Sequence, residues 1–313
     1  MSGDPTQAIL ALGGAPLAAL MDRAERRLGE IGAVDEHAAG MLAAGGKRLR
    51  PLLVFLSADG GSEQLVRAAV AVELVHSATL VHDDVLDGAP LRRGHPTVFA
   101  AAGREAATSA GDLLFSRAFA ELAANSSPAQ LAALSAAGSA LAQGELIQRE
   151  DAGDAGISVE RYLERCELKT ARLFEAACTL GCLAGGGLSL RGFGRRIGLA
   201  FQLLDDVLDV VGPAQRIGKR RGGDLLDGTA TLPLLLARER SSALAAIDLR
   251  TVRDPGLAEE LCDLIAATGA TELVRARAAA LVAAAKDELP SGLAPGRREM
   301  LELVADGVVD RYS

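Results

Sequence analysis

Residues 83–87 read Asp-Asp-Val-Leu-Asp, and the same five residues recur at 205–209. Each copy continues an apolar stretch, residues 78–81 in the first case and 201–204 in the second. On a helix, the first and last aspartates of each copy lie four residues apart and share one face. The sequence therefore predicts two apolar helices that each carry a cluster of carboxylates.

The two aspartate clusters are candidate metal sites. Carboxylates this close repel one another and are costly on a buried surface unless a cation neutralises them. Oxygen ligands with room for water and phosphate suit Mg²⁺ better than zinc or copper. A single acidic run is more often a solvated helix face, and neither copy has the alternating ligands and central glycine of a calcium loop. Repetition on two apolar helices favours magnesium ions that stabilise a departing diphosphate.

Composition points to a helical protein. The chain has 313 residues, of which 49% are hydrophobic and only 3% aromatic, so Ala, Leu and Val must fill the core. A net charge of -8 and a pI near 5.2 argue against nucleic acid as a partner. The four cysteines lack the paired spacing of a metal site, and we expect them to be reduced thiols.

Helical periodicity dominates the chain. The sequence predicts a single all-α domain over residues 1–313, a bundle of about ten or more helices without strand pairs joined by hairpin turns. The predicted helices are 15–32, 35–44, 51–57, 63–86, 97–102, 105–123, 128–150, 158–184, 189–211, 230–239, 255–268, 270–288 and 295–311. Residues 1–19 lack the layout of a signal peptide, and no stretch of about 18 residues is uniformly apolar. We therefore expect a soluble, cytoplasmic protein without a transmembrane segment.

Basic residues lie beside both acidic clusters. Residues 45–51, Gly-Gly-Lys-Arg-Leu-Arg-Pro, combine flexible backbone with three cations just before a predicted helix, which suits an anion. Further basic groups follow each cluster or lie within the helix predicted at 158–184: Arg92-Arg93, Lys169 and Lys219-Arg220-Arg221. Their positions predict a site for more than one phosphate group.

The sequence shows no pattern typical of a covalent nucleophile. It has no Gly-x-Ser-x-Gly elbow, no Walker loop and no Cys/His pairing. His76 lies two turns before Asp83 on the same helix face, from where it can donate a hydrogen bond to a diphosphate. The chemistry should therefore rest on metal-assisted ionisation of a substrate.

Together these motifs resemble the trans-isoprenyl diphosphate synthases, also called the polyprenyl synthetase family, of the medium- to long-chain type. The similarity covers about 45–235 and extends to the last helix. Its motifs occur in family order: 45–51, 82–87 with 92–97, Gly111-Asp112, Gly144-Glu145-x-x-Gln148, Lys169-Thr170-Ala171, 201–206 and Thr231-Leu232-Pro233. The resemblance implies a bundle of helices around a deep apolar cavity, usually a homodimer.

The resemblance also implies roles for individual residues. The diphosphate of isopentenyl diphosphate would be bound by Lys47, Arg50, His76 and Arg93. The diphosphate of the allylic substrate would be bound by Arg92, Lys169, Thr170, Gln202 and Lys219. Mg²⁺ would be held by Asp83, Asp87 and Asp205. Three further aspartates would support these ligands: Asp84, Asp206 and Asp209. Asp209 is also a candidate ligand itself. The catalytic set would be Asp83, Asp84, Asp87, Asp205, Asp206 and Lys169.

The mechanism that the resemblance implies is ionisation of the allylic diphosphate, attack by the isopentenyl double bond, and loss of a proton to the released diphosphate. One position departs from the family pattern. Thr229 stands where the family usually has a lysine, two residues before Thr231-Leu232-Pro233. Arg220 or Arg221 would then have to compensate.

Product length is expected to depend on the helix that carries Asp83. Ala78 and Thr79, one turn before Asp83, would face the growing chain, and short-chain members of the family commonly have a bulky aromatic residue there. Because both side chains are small, we expect a product longer than C20, in the C30–C50 range, with Phe115 or Phe119 as deeper stops.

Three alternatives compete with this interpretation. A short-chain C15 or C20 synthase would need another residue to close the pocket. A regulatory subunit of a heteromeric synthase usually loses one acidic motif, and this chain keeps both. A terpene cyclase of the same architecture would keep one Asp-Asp-x-x-Asp motif and would consume no isopentenyl diphosphate.

Overall fold

The computed structural model describes residues 5–43, 46–92, 94–212 and 221–310, and within these residues the chain is almost entirely helical. The α-helices are α1 (Pro5–Gly32), α2 (Glu36–Ala43), α3 (Leu49–Leu56), α4 (Glu63–Asp87), α5 (Val98–Ala123), α6 (Pro128–Glu150), α7 (Val159–Cys166), α8 (Arg172–Gly185), α9 (Arg191–Val211), α10 (Gly223–Leu226), α11 (Leu232–Arg238), α12 (Ser242–Ala245), α13 (Pro255–Ala267), α14 (Ala270–Asp287) and α15 (Pro295–Asp310). A π-helical turn, Glu167–Ala171, joins α7 to α8, and a 3₁₀ turn covers Leu249–Thr251. The all-α fold class is confirmed.

Helix α4 forms the centre of the bundle. It is apolar on nearly all sides, and its buried residues run from Leu65 to Val85. The side chain of Ser62 accepts a hydrogen bond from the Leu65 amide at its start, and Gly88 ends it in a left-handed conformation. Helices α3, α5 and α8 pack around it. This packing fixes the end of α4, where the first acidic cluster lies.

Helix α4 is also the one described helix that is long and apolar enough to cross a membrane by length and composition. Of its most apolar window, 72% is buried inside the fold. A central helix of a packed bundle shows this combination, because its neighbours cover all its faces.

The boundaries follow local signals in the sequence. Helix α5 is broken at Gly103, whose φ of 87° separates a short first segment from the rest, as the sequence predicted. Helix α1 has the same kind of break at Gly14. The side chains of Thr97, Ser127 and Ser158 accept hydrogen bonds at the starts of α5, α6 and α7.

Two local predictions are wrong. Strands β1 (Leu91–Arg92) and β2 (His95–Pro96) form an antiparallel hairpin after α4, with Leu91 opposite Pro96. Strands of two residues are too short to leave an alternating pattern. A π-helical turn interrupts the helix predicted at 158–184. Its hydrogen bonds run from i to i+5 and need no helix-breaking residue, so no residue type marks the turn.

Candidate active site

The first acidic cluster occupies the last turn of α4. Asp83 is half-buried, Asp84 is buried, and Asp87 has 27% of its side chain exposed. Burial raises the pKa of Asp83 to about 6, against the opposing effect of the Lys169 ammonium. Burial also raises the pKa of Asp84, although Arg92 Nε donates to its Oδ1 at 2.9 Å. The cluster thus contains two carboxylates whose ionised forms are poorly solvated.

The second acidic cluster lies on α9, and its three carboxylates have different surroundings. Asp205 is exposed. Asp206 is buried and accepts hydrogen bonds from Tyr162 Oη at 2.5 Å and Gln202 Nε2 at 2.7 Å. Burial raises the pKa of Asp206 to about 7, while these two hydrogen bonds lower it. Asp206 therefore belongs to the interior and Asp205 to the surface of the cluster.

The Asp209 carboxylate binds backbone amides. Its Oδ1 and Oδ2 accept from the amides of Gly223 and Asp224, at 3.2 and 3.0 Å. It is 6% exposed. The carboxylate therefore fixes the start of α10, and its role as a metal ligand stays a prediction.

The π-helical turn lies between α6 and α9. Lys169 Nζ donates to Glu145 Oε2 at 2.5 Å and to Gln148 Oε1 at 3.1 Å, both on α6. Thr170 Oγ1 donates to Gln202 Oε1 at 2.7 Å, on α9. Successive residues of the turn thus contact opposite helices, and the Lys169 side chain lies near the first cluster and Thr170 near the second.

Two glycines permit the close approach of elements at the site. A Cβ on Gly144 would lie 2.7 Å from the backbone nitrogen of Lys169. A Cβ on Gly111 would lie 2.3 Å from Nε2 of His82, the residue before the first cluster. These distances explain why the sequence has glycine directly before Glu145 and before Asp112.

The segment that leads into α3, together with its first turn, contains cations of two kinds. Lys47 is exposed, and the Arg50 guanidinium lies 4.5 Å from the centroid of the Phe174 ring. Arg48 is buried, and it donates to Glu73 Oε1 at 2.8 Å and Glu25 Oε1 at 2.7 Å. The interpretation of all three cations as anion-binding groups is therefore wrong for Arg48, because two carboxylates already neutralise it.

Several other predicted residues can be placed. His76 is half-buried on α4, and its carbonyl accepts from Thr79 Oγ1 at 2.8 Å. Arg92 pairs with Asp84. Three predicted cations and one glycine lie outside the described residues: Arg93, Lys219, Arg220 and Gly45.

The segment around Thr229 lies against the loop that follows α6. The Gly153 amide donates to the carbonyl of Gly228 at 2.8 Å, and the Thr229 amide donates to the carbonyl of Asp224 at 2.7 Å. Arg221 Nη2 lies 2.8 Å from Asp263 Oδ1 on α13. Arg221 is thus paired with α13 in the substrate-free protein, and compensation by Arg221 for the missing lysine at Thr229 stays a prediction.

Ala78 and Thr79 differ in their surroundings. Ala78 has 0% exposed surface, whereas Thr79 is partly exposed. Of the two predicted chain-length positions, Thr79 is therefore the one whose side chain has accessible space in front of it.

A cavity of about 380 Å³ opens between α6 and α8. Its walls include Ala137, Ala140 and the ion pair between Arg172 and Glu175. None of the aspartates of either cluster lines it, so it is separate from the candidate active site.

Among the described residues, no three His, Cys, Asp or Glu side chains converge on a preformed ion site. The carboxylates of the first cluster are instead paired: Asp84 with Arg92 and Asp87 with Arg149, the latter at 2.7 Å. The donor set is nevertheless all oxygen, with the first and last aspartates on one helix face. Such a set fits a hard divalent cation, which would have to displace the guanidinium groups of Arg92 and Arg149.

Three contacts at the site were missed at the sequence level. Tyr162 supports Asp206, and its position among charged residues of α7 gave no signal. Arg48 pairs with Glu73, although a glutamate within an apolar helix could have indicated a buried partner. Arg149 pairs with Asp87 and with Glu145, and the i,i+4 spacing of Glu145 and Arg149 was a visible signal.

An all-α bundle with a lysine-bearing turn beside two aspartate clusters defines a class of protein that binds diphosphates. The family model described as polyprenyl synthetase matches residues 33–263. Component 2 of the heptaprenyl diphosphate synthase of Geobacillus stearothermophilus is 40% identical over 240 residues, which is 74% of this chain and 75% of that protein. A short chain isoprenyl diphosphate synthase of Methanothermobacter thermautotrophicus is 35% identical over 286 residues, 87% of this chain and 88% of that protein.

A solved structure supports the same family. The crystal structure of a polyprenyl synthase from Caulobacter crescentus CB15, complexed with calcium and isoprenyl diphosphate, matches with a TM-score of 0.91 at 34% identity over 100% of both chains. The chain belongs to the polyprenyl synthetase family. The prediction of a prenyl diphosphate synthase is thereby confirmed.

Proposed function

We propose that this enzyme condenses isopentenyl diphosphate with an allylic diphosphate and releases a trans-polyprenyl diphosphate longer than C20. The observation that carries the proposal is the π-helical turn. Its Lys169 donates to Glu145 and lies close enough to Asp83 to act on its pKa, and its Thr170 donates to Gln202, the partner of Asp206. An allylic diphosphate bound between the clusters would meet both residues. The C30–C50 range agrees with the name of the heptaprenyl relative, whereas the short-chain relative represents the runner-up.

The metal that we propose is Mg²⁺, held by Asp83 and Asp87 on α4 and by Asp205 on α9. When bound, it would neutralise charge on the departing diphosphate. Asp84 would orient Arg92, and Asp206, fixed by Tyr162, would orient Gln202.

The second diphosphate, that of isopentenyl diphosphate, would bind to Lys47, Arg50 and His76. Arg50 is held over Phe174, so its guanidinium needs little ordering on binding. We assign the final proton to the released diphosphate rather than to a protein base.

The test is an assay of the purified chain with radiolabelled isopentenyl diphosphate and allylic starters from C5 to C20. We expect label in a prenyl product, dependence on Mg²⁺, and loss of activity with a chelator. A regulatory subunit would be inactive alone, and a terpene cyclase would release diphosphate without incorporating label. Light scattering of the same sample tests the homodimer that we propose, and cell fractionation tests the proposed cytoplasmic location.

Product length gives a separate prediction at Thr79. We expect Thr79→Phe to shorten the product towards C15–C20, because the aromatic ring would fill the space one turn, about 5.4 Å, from Asp83. Thr79→Val, which keeps the size of the side chain, should leave the product unchanged. Chain length is read from the dephosphorylated products by chromatography.

Ala78→Phe should also shorten the product, but at a cost in stability of about 1–3 kcal/mol, because Ala78 is fully buried. A wild-type product of C15 or C20 would show that another residue closes the pocket.

A further inference from the structure

Arg149, on the last turn of α6, is held between two carboxylates. Its Nη2 lies 2.7 Å from Oδ1 of Asp87, 62 residues away on α4. Its Nε lies 2.7 Å from Oε1 of Glu145, one turn earlier on α6. The side chain is 41% exposed, so a ligand arriving from solvent can reach it.

Arg149 is part of a row of alternating charges. Glu145 uses Oε1 for Arg149 and Oε2 for Lys169, and the row therefore runs Asp87, Arg149, Glu145, Lys169. It spans α4, α6 and the π-helical turn. Both cations of the row therefore donate to Glu145 and to a second acceptor, which is Asp87 for Arg149 and Gln148 for Lys169.

An isolated surface ion pair contributes little to stability and would not by itself indicate a function. The pair of Arg149 with Asp87 differs because one of its members is a proposed metal ligand. A metal ion that takes Oδ1 of Asp87 must first displace the guanidinium. A diphosphate that takes the guanidinium must first remove it from Asp87.

We propose that Arg149 is a diphosphate-binding residue that couples metal binding to diphosphate binding. This inference rests on the proposed function. Either ligand alone breaks the ion pair without replacing both partners. Together they exchange it: the carboxylate goes to the metal and the guanidinium to a phosphate oxygen. By thermodynamic linkage, each ligand then raises the affinity for the other by the same factor.

The consequence for the substrate-free enzyme is weak metal binding. Arg149 acts as the counter-ion of Asp87 until a diphosphate arrives. Loss of Arg149 should therefore tighten metal binding in the absence of substrate and weaken diphosphate binding in its presence. A merely structural ion pair would produce neither of these opposite changes.

The experiment is calorimetric titration of the substrate-free enzyme with Mn²⁺, using wild type, Arg149→Gln and Arg161→Gln. Arg161 is the matched control, because it also bridges two carboxylates, Glu150 and Asp151, is 35% exposed, and loses the same charge. We expect Arg149→Gln to bind Mn²⁺ about fivefold to tenfold more tightly, less than the effect of a fully buried charge-assisted hydrogen bond because the Arg149 side chain is 41% exposed. Arg161→Gln should stay within about twofold of wild type, as an exposed pair away from the ligands.

A second titration uses inorganic diphosphate at a fixed, saturating concentration of free Mn²⁺. We expect Arg149→Gln to bind diphosphate about tenfold more weakly than wild type, as for a lost charge-assisted contact. Unchanged Mn²⁺ affinity in Arg149→Gln, or equal tightening in Arg161→Gln, would overturn the inference. So would unchanged diphosphate affinity.

Asp83→Ala separates this inference from the proposed function. If Asp83→Ala abolishes Mn²⁺ binding but Arg149→Gln leaves the Mn²⁺ affinity unchanged, the coupling is wrong and the proposed metal site is supported. If Mn²⁺ binding survives Asp83→Ala, the metal site of the proposed function is wrong, and the coupling is wrong with it.

Discussion

Asp83→Ala should lower kcat by about a hundredfold to a thousandfold while leaving the helical fold intact. The substitution removes a carboxylate that we propose to hold the metal at the departing diphosphate, and loss of one such stabilising group costs about 10²–10³ in kcat. The measurement is steady-state turnover with saturating Mg²⁺, with circular dichroism to confirm the fold.

The fold should survive because the ionised Asp83 does not stabilise it. Burial raises the pKa of Asp83 to about 6, so the folded protein binds this proton more tightly than the unfolded chain. The stability contributed by the protonated form is present at low pH and is lost as pH rises from about 4 to about 6. Above that range the metal-free Asp83→Ala variant should be at least as stable as wild type, as thermal unfolding would show.

Asp306→Ala is the control, because Asp306 is a half-exposed carboxylate on α15 that forms an ion pair with Lys286 on α14 and belongs to neither aspartate cluster. It should turn over at the wild-type rate. Near wild-type turnover by Asp83→Ala with saturating Mg²⁺ would contradict the proposed mechanism. Asp205→Ala gives the same test for the second cluster.

Arg48→Met should destabilise the protein by about 3–5 kcal/mol, the usual cost of removing one partner of a buried ion pair. Arg48 is 9% exposed and Glu73 is 5% exposed, with 2.8 Å between Nη1 and Oε1. Arg48 also donates to Glu25 and to the carbonyl of Leu42. It thereby ties α1, α2 and α4 to the loop before α3, and Met would leave Glu73 as an uncompensated buried charge.

Urea denaturation of Arg48→Met measures this cost. The control is Arg23→Met, which removes an exposed ion pair with Glu63 and should cost less than about 1 kcal/mol. Because Arg48 fixes the backbone beside Lys47, we also expect Arg48→Met to raise KM for isopentenyl diphosphate more than KM for the allylic substrate. Equal urea midpoints for the two variants would show that Glu73 finds another partner.

Most of the helices could be predicted because their signals are local. Ser62 before α4, Gly103 within α5 and Pro128 at the start of α6 act through their own backbone and nearest neighbours. The acidic clusters could be predicted for a similar reason, since four-residue spacing fixes a helix face. Which helices these clusters face depends on tertiary packing. The order of the motifs indicates that packing only through the family resemblance.

The missed features depend on contacts between distant residues. Arg48 looks like Lys47 in the sequence, and only the position of Glu73 on α4 makes it a buried structural cation. The pairing of Arg149 with Asp87 joins residues 62 apart. Ala78 and Thr79 are both small, but tertiary packing buries one and leaves the other accessible.

The π-helical turn makes the site sensitive to chain length as well as to side chains. Neighbouring residues of an α-helix are about 100° apart, and the wider turn at Glu167–Ala171 changes that angle locally. Deleting one residue from the turn would leave both aspartate clusters, and every residue on α6 and α9, unaltered in sequence. It would nevertheless shift the register of α7 against α8, so that Lys169 and Thr170 no longer point to opposite helices. A sequence with every motif present could in this way lack a functional site.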